Sequence, residues 1–274
     1  MNIRVNEKAL HISSPFTAFT LRDEMKKDAD IVILNGFVIK TDNELSEGDN
    51  VVLIKRGEVP KREEMEALMM SRHTVGVHER VKKTTVAIAG LGGLGSNIAV
   101  SLARIGVGRL ILIDFDVVEP SNLNRQHYMI PHIGMNKTEA LKSQLQDINP
   151  FTEVITHDVY LTSENVMKFI KDADIAVEAF DGADSKAMIV SSWRVNCPDK
   201  PIVAASGVAG FQSSNLIETR MLMKNTYVVG DLKSAAQIGQ GLMAPRVAVA
   251  AGHQANMVLQ LIMQGEDVKE NTYG

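Results

Sequence analysis

Four glycines, Gly90, Gly92, Gly93 and Gly95, are clustered in the sequence, and Asp114 follows nineteen residues after the last of them. Because glycine has no Cβ, such a cluster allows a tight turn and a close approach of a ligand to the backbone. A glycine turn that leads into a helix and is followed by an acid at the end of the next strand is typical of nucleotide binding. By itself this spacing also fits a dinucleotide such as NAD, or a turn needed only for packing.

Three charged residues farther along the chain narrow the choice of nucleotide. Arg125 and Lys137 lie on the segment between Asp114 and Asp181. Two cations fit a triphosphate better than a nicotinamide, while a carboxylate at Asp114 can accept hydrogen bonds from ribose hydroxyls. Asp181 follows a later apolar strand and is placed to hold Mg²⁺ that bridges phosphate oxygens. We therefore predict a site for a triphosphate and Mg²⁺.

Several of these residues have alternative interpretations. Arg125 could pair with Glu119 or Asp116 as a surface ion pair, and Lys137 could be an ordinary lysine on a helix face. Asp116 fits a loop brace as well as a ligand contact. Asp184 and Lys186 fit solvated positions at the start of a helix as well as a role beside Asp181. The histidines at 127, 132 and 253 have no ligand spacing, so we expect them to bind no metal.

The elements that position these residues follow from hydrophobic periodicity. Residues 86–89 form an apolar run typical of a buried strand, residues 96–104 have helical spacing, and residues 110–113 form a second buried strand that ends at Asp114. Strands and helices continue to alternate, which predicts a doubly wound, mostly parallel, Rossmann-like α/β sheet. Two later strands, 216–223 and 227–230, are predicted to be antiparallel, and a helix is predicted over 245–264.

Residues 1–58 predict a separate small domain. Two strands, a helix from Ser14-Pro15 to about Lys27, two paired strands around Asn35-Gly36 and a last strand over 51–54 give the order ββαββ of a β-grasp, ubiquitin-like fold. Phe16, Phe19 and Met25 are its candidate core residues on the helix. Residues 59–83 are predicted to be a helical linker, and residues 84–274 the nucleotide-binding domain.

The composition excludes several classes of protein. At 274 residues the chain is long enough for one large and one small domain, and its net charge of −4 gives no reason to expect nucleic acid or an anionic membrane as a partner. Neither a secretory leader nor a run of membrane-spanning length is evident, so we expect a cytoplasmic protein. The single cysteine, Cys197, excludes an internal disulfide and a four-cysteine zinc site.

A set of motifs in the second domain resembles one known family. The motifs read GLGGLG over 90–95, IDFD over 113–116, EPSNLNRQ over 119–126 and Gly-x-x-Lys over 134–137. Together they are similar to the ThiF/MoeB superfamily, the bacterial relatives of ubiquitin-activating enzymes, which adenylate the C-terminal glycine of ubiquitin-like sulfur carriers. The segments 178–181 and 241–246 resemble the branch that activates the carrier of thiamine thiazole synthesis, and residues 1–58 resemble that carrier, ThiS.

The resemblance implies a role for each matching residue. Gly90, Gly92, Gly93 and Gly95 would shape the nucleotide turn, and Asp114 and Asp116 would contact the nucleotide. Further roles are implied for residues that grip the triphosphate (Asn122, Arg125, Lys137), hold Mg²⁺ (Asp181) or reach into a neighbouring subunit's site (Arg72). The implied protein is a homodimer that catalyses attack of a carrier's C-terminal carboxylate on the α-phosphate of ATP.

The chain also departs from the family pattern. Many members carry two CxxC pairs for zinc, and these are absent here, so we expect no zinc. Cys197 precedes Pro198 at a helix end, where a small packing residue is expected, and sulfur would then come from another protein. The front domain continues past Lys55-Arg56-Gly57-Glu58 without a free Gly-Gly tail, which favours a docking or stabilising module over a substrate. A different carrier or peptide carboxylate, an NAD-dependent oxidoreductase and an inactive scaffold remain alternatives.

Overall fold

The computed structural model describes residues 1–264 with the exception of Ser14, Arg72, Thr74 and Val75. The chain divides into two compact units, Met1–His73 and Thr74–Gly274. None of the helices in this described part combines the length and the apolarity that crossing a membrane requires. The segment predicted to be a linker contains two helices, Arg62–Met70 in the first unit and Val77–Val81 in the second. The predicted domain limits of 1–58, 59–83 and 84–274 stay a prediction.

The first unit is a five-stranded sheet with one helix in its core. Its elements are β1 (Asn2–Val5), β2 (Lys8–His11), α1 (Ala18–Met25), β3 (Ile31–Leu34), β4 (Phe37–Ile39), β5 (Asn50–Ile54) and α2 (Arg62–Met70). The strand order β2-β1-β5-β3-β4 places the last strand in the centre, parallel to β1 and antiparallel to β3. The predicted β-grasp order is confirmed.

The helix α1 differs from the prediction at both ends. It begins after Thr17, whose hydroxyl accepts the N–H of Thr20 at 3.2 Å, and it buries Ala18 and Leu21 in the core of the unit. Phe16 and Phe19 pack against that core. Met25 was predicted to be a core residue, and this was wrong: it is the last residue of the helix and is 52% exposed.

The second unit contains the larger sheet and the helices that cover it. Its helices are α3 (Val77–Val81), α4 (Gly93–Arg104), α5 (Lys137–Ile148), α6 (Val166–Ile170), α7 (Ala183–Asn196) and α8 (Ala244–Gln264). Its strands are β6 (Thr85–Ala89), β7 (Arg109–Asp114), β8 (Glu153–Asp158), β9 (Ile175–Glu178), β10 (Ile202–Ala205), β11 (Glu218–Met223) and β12 (Thr226–Gly230). Single 3₁₀ turns cover Pro120–Asn122, Ile130–His132 and Ser214–Leu216.

The large sheet is doubly wound, as predicted. Its strand order is β11-β12-β10-β9-β6-β7-β8, in which β11 is antiparallel to β12 and the other neighbours are parallel. Alternate residues of β6 face opposite layers: Val86 and Ile88 pack with α4, α5 and α8, whereas Ala87 and Ala89 pack with α6 and α7. The chain runs outward from β6 in one direction and from β9 in the other, so a crevice is expected where these two strands end.

Candidate nucleotide site

A pocket of about 700 Å³ lies at the carboxyl ends of β6, β7, β9 and β10. It brings together eight of the predicted site residues, namely Gly90, Gly92, Gly93, Asp114, Asp116, Arg125, Lys137 and Asp181. Gly95 and Asn122 are not among the residues that line it. Arg72, predicted to act in a neighbouring subunit, lies outside the described residues.

The glycine turn is shaped by close backbone contacts. Gly90 has φ of +90°, and a Cβ added there would lie 2.7 Å from the carbonyl oxygen of Ala179. A side chain at this position would therefore be strained and would clash with the turn after β9. Gly92 and Gly93 follow at the N-terminus of α4, where free backbone N–H groups and the helix dipole favour an anion.

Gly95 lies where α4 packs against the end of β6, and its predicted role at the nucleotide stays a prediction. A Cβ at Gly95 would lie 1.8 Å from the carbonyl oxygen of Gly90, so α4 approaches the end of β6 too closely for any side chain. We expect Gly95→Ala to destabilise the second unit by about 1–3 kcal/mol or more through overpacking, and to weaken ATP binding because the turn must move. Urea unfolding and calorimetry measure the two effects.

Gly252→Ala is the matched control for that substitution. Gly252 lies in the interior of α8, and a Cβ added there meets nothing within 4 Å. We expect this variant to be neutral or stabilised by up to about 1 kcal/mol, since alanine is the better helix former. Equal stability of the Gly95 and Gly252 variants would contradict the packing role of Gly95.

Asp114 is built into the glycine turn. One carboxylate oxygen accepts the N–H of Leu91 at 2.6 Å and the other accepts the N–H of Asp116 at 2.9 Å. Burial raises the pKa of Asp114, and the nearby Lys137 opposes that rise. The Tyr128 hydroxyl donates to the Leu91 carbonyl at 2.8 Å and thereby braces the same turn. The carboxylate therefore fixes the turn while it lines the pocket.

Lys137 and Asp116 form an ion pair at the edge of the pocket. The Lys137 Nζ lies 2.7 Å from Asp116 Oδ2, and the Lys137 N–H donates to the Asp116 carbonyl at 3.0 Å. The lysine side chain is only 6% exposed, whereas that of Asp116 is 47% exposed. Asp116 thus braces the first turn of α5, and the ammonium group is held in place beside the pocket.

The loop after β7 carries Arg125. Asn122 accepts the N–H of Glu119 at 3.0 Å through its side chain, and its carbonyl accepts the N–H of Arg125 at 3.1 Å. Asn122 thus shapes the loop, and its predicted contact with the triphosphate stays a prediction. The Arg125 Nη1 donates to the Ser121 carbonyl at 3.1 Å and to Asn124 Oδ1 at 2.9 Å.

The guanidinium of Arg125 is available for an anionic ligand. Among the described residues it has no ion pair, so the alternative of a bridge to Glu119 or Asp116 is not observed. Its Nε is buried without a hydrogen-bond partner. A buried donor without a protein partner is satisfied by an ordered water, an ion or a ligand.

Two ion pairs at the pocket were not predicted from the sequence, although three of their four residues lie in segments or positions that it singled out. Glu178 is fully buried at the end of β9, and Lys186 lies 2.9 Å from its Oε1, so Lys186 is not a solvated helix-start residue. Arg246 and Asp231 form a second pair at 2.7 Å, with side chains 3% and 10% exposed. The two members of each pair lie on different segments of the chain, which only the fold brings together. Their separation in the sequence therefore matches neither one helix nor one strand.

The Arg246–Asp231 pair holds one wall of the pocket. Arg246 donates to the carbonyls of Ala209, Gln212 and Ser213 at 2.9–3.0 Å. Residues 206–209 and 234–236 line the pocket, and Arg246 joins the two segments through Ala209 and Asp231.

No group of three or more potential metal-ligand side chains is present in the part of the chain that the structure describes. Asp181 is exposed and lines the pocket, so a metal ion there would need most of its ligands from a bound molecule and water. Cys197 is partly buried against the core that α6 and α7 cover, in the packing role predicted for it.

Two family models match the chain. Residues 66–273 match the ThiF family, and residues 1–57 match the ThiS-like ubiquitin family. The two matches correspond to the larger and the smaller sheet, respectively.

Curated relatives match about half of the chain. It is 33% identical over 130 residues to "Adenylyltransferase and sulfurtransferase MOCS3" of Aedes aegypti, covering 47% of the chain and 29% of that protein. It is 36% identical over 133 residues to "tRNA threonylcarbamoyladenosine dehydratase" of Bacillus subtilis, covering 48% of the chain and 52% of that protein. The match thus spans about half or less of the length of these relatives.

Solved structures share the fold. The E. coli tRNA N6-threonylcarbamoyladenosine dehydratase TcdA in complex with ATP aligns with a TM-score of 0.65 at 22% identity, covering 71% of the chain and 92% of that structure. E. coli MccB with ATP aligns with a TM-score of 0.53 at 26% identity, covering 68% of the chain and 57% of that structure.

Proposed function

The chain belongs to the ThiF family, and we propose from this premise that it adenylates the C-terminal carboxylate of a ubiquitin-like carrier protein. In this reaction a carboxylate oxygen of the carrier attacks the α-phosphorus of ATP. The bond between the α-phosphorus and its bridging oxygen breaks, pyrophosphate leaves, and the carrier becomes an acyl-adenylate. No proton needs to be removed from the attacking carboxylate, so the protein has to supply orientation and charge stabilisation.

One observation carries this proposal: a single pocket combines a glycine turn at a helix N-terminus, a buried acid and three cationic side chains, Arg125, Lys137 and Lys186. Asp114 would accept hydrogen bonds from the ribose, and the N-terminus of α4 would receive phosphate oxygens. Arg125 and Lys137 would neutralise the negative charge that develops as pyrophosphate leaves. Their arrangement suits a triphosphate better than a nicotinamide.

Mg²⁺ would enter as part of the MgATP substrate, with Asp181 as its protein ligand. Mg²⁺ is commonly held by one or two carboxylates together with phosphate oxygens and water. The exposed position of Asp181 on the pocket wall fits that mode, since an all-protein cage is not needed.

The carrier that we favour is the ThiS type of thiamine thiazole synthesis. The support is the similarity of residues 1–57 to ThiS-like ubiquitin proteins together with the sequence motifs of the pocket. We propose that a separate carrier is the substrate, because the fused domain continues past Glu58 without a free C-terminal glycine, and residues 55–58 are held against the domain. The Lys55 Nζ lies 2.5 Å from Asp28 Oδ2, and Glu58 Oε2 lies 3.1 Å from the Lys26 Nζ. The Arg56 N–H also donates to Asp30 at 2.8 Å.

We also propose that the protein works as a cytoplasmic homodimer in which Arg72 reaches the neighbouring subunit's pocket. The proposal rests on the family resemblance, and sedimentation of the full chain tests the oligomeric state. A monomer at the concentrations at which activity is measured would contradict it.

Mass spectrometry of candidate carriers tests the proposed reaction. The full chain is incubated with MgATP in three separate reactions, which contain a ThiS-type carrier, a molybdopterin-type carrier or tRNA. The expected result is a carrier heavier by one AMP, formed only when its C-terminal glycine is intact. A reaction only with tRNA would favour the activity for which the Bacillus subtilis relative is named. ATP binding without turnover would favour an inactive scaffold, and preferential binding of NAD over ATP would favour an oxidoreductase.

A further inference from the structure

Glu178 is a fully buried carboxylate at the centre of the large sheet. It is the last residue of β9, which lies between β10 and β6, and its exposure is 0%. A carboxylate in such a position is costly unless it is paired and hydrogen-bonded. Glu178 lies three residues before Asp181 and is not among the residues that line the pocket, whereas its partner Lys186 is one of them.

The carboxylate of Glu178 connects three segments around the pocket. Its Oε1 accepts a hydrogen bond from the N–H of Phe180 at 2.7 Å and another from the Lys186 Nζ at 2.9 Å. Its Oε2 accepts the N–H of Ala205 at 3.2 Å and is also 3.2 Å from the Lys186 Nζ. The turn after β9, the first turns of α7 and the end of β10 are therefore tied to one group.

These contacts fix the residue that precedes Asp181. Asp181 is exposed, so few of its own contacts hold it in place. The N–H of Phe180 is bound by Glu178 on one side, and the Lys186 ammonium anchors α7 on the other. The carbonyl of Ala179 also lies against Gly90, which leaves this turn little freedom. The position of the Asp181 carboxylate thus depends on a group that the substrate does not touch.

We propose that the Glu178–Lys186 pair is a positioning device that sets the Asp181 carboxylate for MgATP. The inference rests on the proposed function only in that Asp181 is taken as the Mg²⁺ ligand. Glu178 is a positioning residue and not a catalytic one, since it acts through the backbone of the turn. Groups that orient a metal ligand in this way affect metal affinity without touching the metal.

Glu178→Gln tests the proposal by calorimetry of ATP binding with and without Mg²⁺, which requires no carrier. Since Glu178 does not line the pocket, the variant is expected to bind metal-free ATP within about twofold of the wild type. The tightening of ATP binding by Mg²⁺ is expected to fall by about 10–100-fold, the range found when groups that orient metal ligands are removed. Thermal unfolding of the variant shows whether the fold is kept.

Glu153→Gln is the matched control. Glu153 pairs with Arg109 at 2.7 Å at the start of β8, its side chain is 56% exposed, and neither residue lines the pocket. This control is expected to leave the effect of Mg²⁺ unchanged. Wild-type dependence on Mg²⁺ in Glu178→Gln would overturn the proposal, as would a parallel loss of metal-free and metal-bound affinity. A wild type that shows Mg²⁺-dependent ATP binding but no carrier adenylation would overturn the proposed function and leave this inference intact.

Discussion

Carrier-dependent exchange of pyrophosphate into ATP is expected to fall by at least about 100-fold when Arg125 is replaced by alanine, the scale seen when one donor to a developing charge is removed. The guanidinium lines the pocket, has no carboxylate partner among the described residues and keeps its Nε buried without a partner. Asp181→Ala is expected to cause a loss of similar size. In that variant the phosphate-bound Mg²⁺ would lose its protein ligand.

Conservative and remote variants separate this effect from damage to the loop. Arg125→Lys keeps the charge but loses the planar fork, so we expect an intermediate loss. Arg104→Ala removes an exposed arginine at the end of α4 and is expected to keep wild-type exchange. Wild-type exchange in both Arg125→Ala and Asp181→Ala would refute the assignment of this pocket as the adenylation site.

The largest loss of stability is expected for Arg246→Met. The arginine is 4% exposed and its guanidinium bonds three backbone carbonyls and the Asp231 carboxylate. Removing one member of a buried pair leaves the other charge uncompensated and costs about 3–5 kcal/mol. The free energy of unfolding of the second unit, measured in urea, is expected to fall by that amount. ATP binding is expected to weaken as well, because the pair holds a wall of the pocket.

Two comparisons identify the cause of that loss. The double variant Arg246→Met with Asp231→Asn is expected to be less destabilised than the sum of the two single variants, since the two residues interact directly. Arg220→Met breaks an exposed pair with Glu218 at 2.5 Å and is expected to cost at most about 1 kcal/mol. Equal costs for the Arg246 and Arg220 substitutions would refute a structural role for the buried pair.

The sequence alone was sufficient for the parts of the molecule that depend on local patterns. Apolar runs and helical spacing predicted the doubly wound sheet and the β-grasp unit, because period and turn chemistry are encoded over a few neighbouring residues. The glycine cluster and Asp114 predicted the nucleotide turn for the same reason. Helix ends were less accurate, as Met25 shows, since the limit of a core depends on what packs against it.

Only the tertiary structure decided how the polar groups are paired. Lys137 pairs with Asp116, Lys186 with the buried Glu178, and Arg246 with Asp231. These partners lie 21, 8 and 15 residues apart and come together at strand ends and crossovers. Side-chain type and spacing indicate which groups carry charge, but burial and the approach of distant segments determine which charges are compensated and which, like Arg125, stay available for a ligand.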